Sequence, residues 1–245
     1  MRAPALTALR HWVRIVRVMA QRVFSLLLSA VLAGFCIGLG GSVFLRVRDT
    51  ALGMPSVVLG ALLFSVGLFT VCTRGYALYT GRVGYLFEQD NIPAYVGQLV
   101  VIWLGNFFGC ALLGGLENLT GICGSSGINM AALGMVNAKL ADSCLSLFWL
   151  GFLCNVFMFI AVNGYAKNPH QIGKYLAIFF GVVCFIVLGT EHSIADMYYF
   201  CVSGKVLSDP AGSLGVLAVV TLGNALGGVF LPLTESALRR LGGQA

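Results

Sequence analysis

Charge is what this chain has least of. Asp, Glu, Lys and Arg make up only 10% of its 245 residues, against 58% hydrophobic residues, and the mean hydropathy is +0.91. No soluble domain of this size has that balance, which excludes a soluble enzyme or binding module and leaves no room for a second, soluble domain. The uncharged runs reach the roughly 20 residues that a bilayer-crossing helix needs. They are continuously apolar and lack the alternation of barrel strands, so a transmembrane β-barrel is excluded too.

Metal-ligand spacing is also missing. Cys36, Cys72, Cys110, Cys144, Cys154, Cys184 and Cys201 stand in or beside apolar runs, where cysteine behaves as a small hydrophobe. Cys123 alone lies in a clear loop, and no CxxC or Cys/His spacing occurs. Neither a metal nor another cofactor is expected. Acidic residues are few, 9 against 15 basic ones, for a net charge of +6. This excess does not predict nucleic-acid binding. Much of it lies in Arg2, Arg10, Arg14, Arg17 and Arg22, with apolar residues between them. That pattern predicts an amphipathic basic helix over 1–22, lying on an anionic membrane surface. No short apolar core leads to an Ala-x-Ala site, so a cleavable signal is not expected.

What the chain does have is six apolar units, over 24–45, 55–73, 93–116, 143–166, 175–202 and 210–234. Arg74 and the stretch Gly75 to Gly81 interrupt the second unit, and Glu191-His192 interrupts the fifth. The Gly105-Asn106-Phe107-Phe108-Gly109 segment matches Gly223-Asn224-Ala225-Leu226-Gly227, 223 − 105 = 118 residues later. Each half then holds three spans, and three is odd, so the halves run in opposite orientations. The prediction is an all-α membrane protein with six transmembrane helices in two inverted three-helix repeats, the second and fifth broken. The transmembrane domain covers 23–235, with a short tail over 236–245. Paired broken segments in inverted repeats point to a membrane transport site, because freed backbone groups need protein or a water-filled cavity to satisfy them.

Orientation follows from positive charge. With the N-terminus inside, the inner set is Arg2, Arg10, Arg14, Arg17, Arg22, Arg82, Lys167, Lys174, Arg239 and Arg240, against Arg46, Arg48, Lys139 and Lys205 outside. Ten against four predicts cytoplasmic termini.

Of three histidines, only His192 lies inside hydrophobic sequence, in Gly189-Thr190-Glu191-His192-Ser193-Ile194-Ala195-Asp196-Met197. An ionisable group there costs roughly 2.5–3.5 kcal/mol to insert and usually faces a cavity or a partner. By residue type alone, His192 reads either as a tie between helices or as a polar point around which a pathway is built.

These motifs resemble the formate/nitrite transporter family of bacterial monovalent-anion channels. Leu78-Tyr79-Thr80-Gly81 is similar to that family's Leu-Phe-Thr-Ser/Gly loop, with Tyr79 for phenylalanine. Glu191-His192-Ser193-Ile194-Ala195-Asp196-Met197 resembles its Glu-His-Ser-Ile-Ala-Asn-Met signature, with Asp196 for asparagine. Leu153-Cys154-Asn155 and the two Gly-Asn segments complete the likeness, which covers roughly 23–233. The resemblance implies an aquaporin-like fold, a homopentamer in a bacterial inner membrane, one pore per protomer, and formate, nitrite or hydrosulfide, with protons, as what passes. It implies His192 as the central pore histidine, with Thr80 beside it. Lys139 would set a positive field, and Asn155 would line a polar chamber. It puts constrictions at Phe64, Leu68, Leu78 and Phe185, with Glu191, Ser193, Asp196, Asn106 and Asn224 supporting them from behind. Arg74 departs from the pattern; it either raises the potential at one mouth or pairs with Asp196 or Glu191.

Other classes fit less well. An aquaporin-type neutral-solute channel needs paired Asn-Pro-Ala motifs, but Asn168-Pro169-His170 occurs once, between spans, and Asn91 is not followed by proline. A membrane serine protease would use the neighbours His192 and Ser193, yet adjacent helical residues do not face each other. A haem subunit would need a second intramembrane histidine.

Overall fold

The computed structural model describes residues 3–48, 53–124 and 127–242. Arg2 and the last three residues of the tail lie outside the described residues, as does the side chain of Arg10. The described chain is helical throughout, with ten α-helices and one 3-10 segment. They are α1 (Ala3–Arg48), α2 (Met54–Arg74), α3 (Tyr79–Arg82), α4 (Ile92–Asn118), α5 (Ile128–Ala141), α6 (Cys144–Lys167), α7 (Gln171–Val187), α8 (Ser193–Val202), α9 (Lys205–Ser208) and α10 (Pro210–Leu241), with the 3-10 segment Val83–Glu88 after α3.

Five of these, Val16–Arg48 of α1 together with α2, α4, α6 and α10, are long and apolar enough to cross a membrane; α7 is apolar but has 17 residues. The basic segment and the first apolar run form one continuous helix, α1, with no backbone break between them. At about 1.5 Å per residue, its 46 residues run well beyond a hydrocarbon layer of about 30 Å.

Helix starts follow local chemistry. Asn91 Oδ1 accepts the Ala94 N–H at 3.0 Å ahead of Pro93, Ser143 Oγ accepts the Ser146 N–H at 3.1 Å, and Asp209 Oδ1 accepts the Gly212 N–H at 3.0 Å ahead of Pro210. Each side-chain oxygen satisfies an orphan donor of the first turn.

Two helix ends share one geometry. α2 closes on Gly75, at φ +69, with the Tyr76 N–H donating to Val71 O at 3.0 Å. α7 closes on Gly189, at φ +73, with the Thr190 N–H donating to Phe185 O at 3.1 Å. This is the left-handed cap that glycine adopts without Cβ strain. Three residues after each glycine the chain is extended, at Leu78 (φ −105, ψ 127) and His192 (φ −109, ψ 105), and a new helix begins.

Packing has the same doubled form. α1 lies along α2 and α4, and α6 lies along α7 and α10. Close approach is made possible by glycine. A Cβ on Gly109 would stand 2.0 Å from Val31 O of α1, and one on Gly227 would stand 2.0 Å from Phe152 O of α6. Large apolar side chains fill the middle, among them Ile37, Phe64, Leu68, Ile102, Met158 and Phe200, while many others, such as Phe108 and Leu222, point outward.

Candidate functional site

His192 caps α8. Its Nδ1 accepts the Ala195 N–H at 3.1 Å. An accepting Nδ1 has no proton, so the ring proton belongs on Nε2, which lies 2.9 Å from Thr80 Oγ1. The ring is thereby a neutral donor toward Thr80, and a second ring proton would have to displace the cap. The Phe185 ring stacks on the imidazole at 5.7 Å and 16°, and Phe64 meets Phe185 edge-on at 6.1 Å. Phe64, Leu68, Leu78 and Phe185 are all at most 3% exposed.

Lys139 is not a lone interfacial cation. It lies on α5, buried, and its Nζ pairs with Glu191 Oε2 and, at 3.0 Å, with Asp196 Oδ1. Asp196 Oδ2 and Asn155 Oδ1 are buried and have no hydrogen-bond partner among the described residues. Asn155 Nδ2 donates to Thr80 O at 3.2 Å. Ser193 is fully buried, and its Oγ too is unpartnered among the described residues. The carboxylates considered for Arg74 are thus taken by Lys139, and Arg74 is exposed at the end of α2.

The two repeat asparagines do the same work at the two extended residues. Asn106 Nδ2 donates to Ala77 O at 2.9 Å and to Ala30 O of α1 at 2.8 Å, and its Oδ1 accepts the Tyr79 N–H at 2.9 Å. Asn224 Nδ2 donates to Glu191 O at 2.9 Å and to Gly151 O of α6 at 2.7 Å, and its Oδ1 accepts the Ser193 N–H at 2.9 Å. Each side chain therefore brackets one residue, Leu78 or His192, and satisfies backbone groups that the helix break leaves bare.

A cavity of about 180 Å³ is lined by His192, Phe64, Phe185, Lys139, Glu191, Asp196 and Arg48. A wider one of about 440 Å³ shares Arg48, Lys139 and Glu191 with it. Leu78 borders a separate cavity of about 310 Å³, together with Val71, Gly81, Arg82 and Tyr85. The arrangement is a set of cavities bordered by buried aromatic and aliphatic side chains, with one hydrogen-bonding histidine and a buried lysine–carboxylate cluster among their walls.

Two buried or cavity-lining polar features carry little signal in the sequence. Arg48, at the end of α1, lines both chambers that Lys139 lines, and its guanidinium lies over the Phe44 ring at 5.5 Å. Glu117 is buried at the end of α4, where it accepts from Ser42 Oγ at 2.5 Å and from Tyr198 Oη at 2.6 Å. A carboxylate closing an apolar span is the one available hint; its partners on α1 and α8 are 75 and 81 residues away.

Comparison with known proteins agrees on one family. The formate/nitrite transporter family model matches residues 10–235. A nitrite transporter, NirC of Escherichia coli (strain K12), is 32% identical over 237 residues, covering 90% of this chain and 85% of its own. Among solved structures, an ion channel of the same family superposes with a TM-score of 0.77 at 28% identity, over 91% of this chain and 94% of that one. A pentameric formate channel with formate bound shares the fold at a TM-score of 0.79 and 24% identity, over 90% of this chain and 98% of that one.

Proposed function

Because the chain belongs to the formate/nitrite transporter family, a family of multi-pass membrane transporters rather than enzymes, we propose that it passes small monovalent anions of weak acids. Nitrite and formate come first, with hydrosulfide a third, and each protomer carries its own pore. α2 with α3, and α7 with α8, count as single interrupted crossings, giving six crossings in two inverted repeats. The matching hydrogen bonds of Asn106 and Asn224 support that reading. The protein forms a homopentamer in a bacterial inner membrane, with cytoplasmic termini.

The observation that carries the pore reading is the pair His192 Nε2 and Thr80 Oγ1, 2.9 Å apart beside the stacked Phe185 ring, with a cavity on its border. An anion shedding water between Phe64, Leu68 and Phe185 meets a low dielectric where an unpaired charge is very unfavourable. His192 and Thr80 offer polar groups where hydration is lost, and the apolar side chains hold back water and other ions. Two routes are open: His192 hands over a proton so that a neutral acid crosses, or it stays neutral and only donates a hydrogen bond. The bond from Ala195 N–H to Nδ1 favours the second.

The test is formate and nitrite flux in liposomes for the wild type, His192→Asn and His192→Phe. His192→Phe is expected to lower flux at least tenfold, about the effect of losing 1.4 kcal/mol of stabilisation at the barrier. His192→Asn, which keeps a donor, is expected to retain more. Coincident curves across pH would make His192 a helix tie and end the pore reading.

A further inference from the structure

The loop that interrupts the second apolar unit faces more than one space. Leu78 borders the cavity of about 310 Å³ near Arg82, and Thr80 reaches His192. Tyr79, the residue between them, turns elsewhere. It borders a cavity of about 330 Å³ together with Leu99, Val100 and Trp103 of α4 and Thr221 and Ala225 of α10. None of the described residues that line this cavity is charged, so it is no second route for an anion. Trp103 Nε1 donates to Thr221 Oγ1 at 3.0 Å, which ties α4 to α10 and occupies the indole donor. Tyr79 is 9% exposed, and its hydroxyl makes no hydrogen bond among the described residues. A buried donor left bare is unfavourable, and the cavity beside it has room for a partner. Val100 is 54% exposed, so the cavity opens on the outer wall of α4, a helix long and apolar enough to cross the bilayer. The resemblance puts phenylalanine at position 79, so the hydroxyl is this chain's own.

We propose that this cavity binds a small neutral lipophile with one hydrogen-bond acceptor, drawn from the bilayer, which anchors on the Tyr79 hydroxyl and restrains the loop that carries Thr80. The inference rests on the transport reading above for its effect on flux; the binding does not depend on it. The volume lies at the lower end of ligand pockets, about 300–1,000 Å³. The walls accept hydrocarbon, and the Tyr79 O–H donates to a hydroxyl, ester or ketone oxygen. A charged headgroup finds no counter-charge there and stays outside. The link to the pore is covalent. Tyr79 and Thr80 are the first two residues of the one-turn helix α3, and Thr80 Oγ1 stands 2.9 Å from His192 Nε2. That separation leaves no room for an anion between them, so Thr80 must give way for one to pass. An empty cavity beside Tyr79 leaves α3 room to shift, and an occupied one removes it, because a filled interior resists displacement. Occupancy therefore lowers flux.

The probe is decanol carrying bromine on its last carbon. Its hydroxyl oxygen accepts from Tyr79, and its bromine quenches tryptophan. The parent protein, in liposomes, carries Trp12→Phe and Trp149→Phe at exposed positions, which leaves Trp103 as its sole indole. Quenching of Trp103 is expected to saturate with probe concentration, and formate uptake to fall along the same curve. Tyr79→Phe is expected to bind the probe roughly fivefold more weakly, the effect of one neutral hydrogen bond. Val100→Phe fills the mouth of the cavity from an exposed position. It is expected to abolish saturable quenching and to make uptake insensitive to the probe. Quenching that rises linearly, as partitioning into lipid gives, overturns the site. So does a Trp103 that the probe never reaches, the result expected where a neighbouring protomer closes the cavity. Equal affinity in Tyr79→Phe overturns the anchor, and saturable binding with unchanged uptake overturns the effect on the loop. A parent protein that passes neither formate, nitrite nor hydrosulfide without the probe overturns the transport reading instead, and quenching still decides the site.

Discussion

At the scale of single residues, the lysine differs most between sequence and structure. Alone, Lys139 reads as a source of positive field. Buried against Glu191 and Asp196, it is the cation that allows two carboxyl groups to sit inside the protein. Removing one partner of a buried ion pair costs about 3–5 kcal/mol, because the remaining charge is left uncompensated. Lys139→Met is therefore expected to lower the melting temperature in detergent sharply, beyond any loss of anion uptake. Adding Glu191→Gln and Asp196→Asn to it is expected to recover much of that loss. A single variant that melts like the wild type would mean the cluster carries no such energy. Asn155 keeps its place near Thr80 through a backbone contact, and its Oδ1, unpartnered among the described residues, leaves it able to meet a polar ligand.

At the scale of elements, two asparagines hold the two breaks. Each side chain satisfies two carbonyls and one N–H, and a buried group left bare costs about 1–3 kcal/mol. Asn106→Ala and Asn224→Ala are expected to destabilise by similar amounts, measured as thermal melting. They are expected to differ in function, since Asn224 brackets His192 and Asn106 brackets Leu78. Asn224→Ala is expected to reproduce the flux loss of His192→Phe and Asn106→Ala is not; equal loss in both would undo the assignment. α5 has no clear helical pattern in its sequence. It mixes apolar residues with Asn129, Gly134 and Asn137 behind a glycine-rich loop, and its burial at Ile128, Ala132 and Val136 is fixed by α8 and α1 packing on it.

At the scale of the whole molecule, the proposed orientation puts the 119–127 loop outside and the end of α10 inside. Burial and the nearby Glu117 carboxylate push the Cys123 thiol above its usual range, which makes it a slow native reporter. In a Cys123→Ser background, Thr120→Cys is expected to react with an impermeant maleimide on intact cells, above the level of the background protein, and Ala237→Cys only after lysis. The reverse pattern would invert the topology. Outward-facing side chains such as Phe108, Leu112, Leu222 and Leu226 suit both lipid and neighbouring protomers. Native mass spectrometry is expected to give a mass of five chains; a conducting monomer would remove the pentamer as a requirement.

The sequence by itself determined the class of molecule, because a chain with so few charges and such long apolar runs has no other solvent than a bilayer. Gly75 and Gly189 end α2 and α7 by local backbone preference, and Asn106 and Asn224, whose spacing suggested an internal repeat, make matching hydrogen bonds. What the sequence left open was every pairing across the fold. His192 meets Thr80 112 residues away, and Lys139 meets Glu191 52 residues away. Glu117 finds Ser42 and Tyr198 on helices far along the chain. No local pattern encodes such contacts. They are decided when glycine-lined helices close on one another and each buried polar group must take the partner that packing brings within reach.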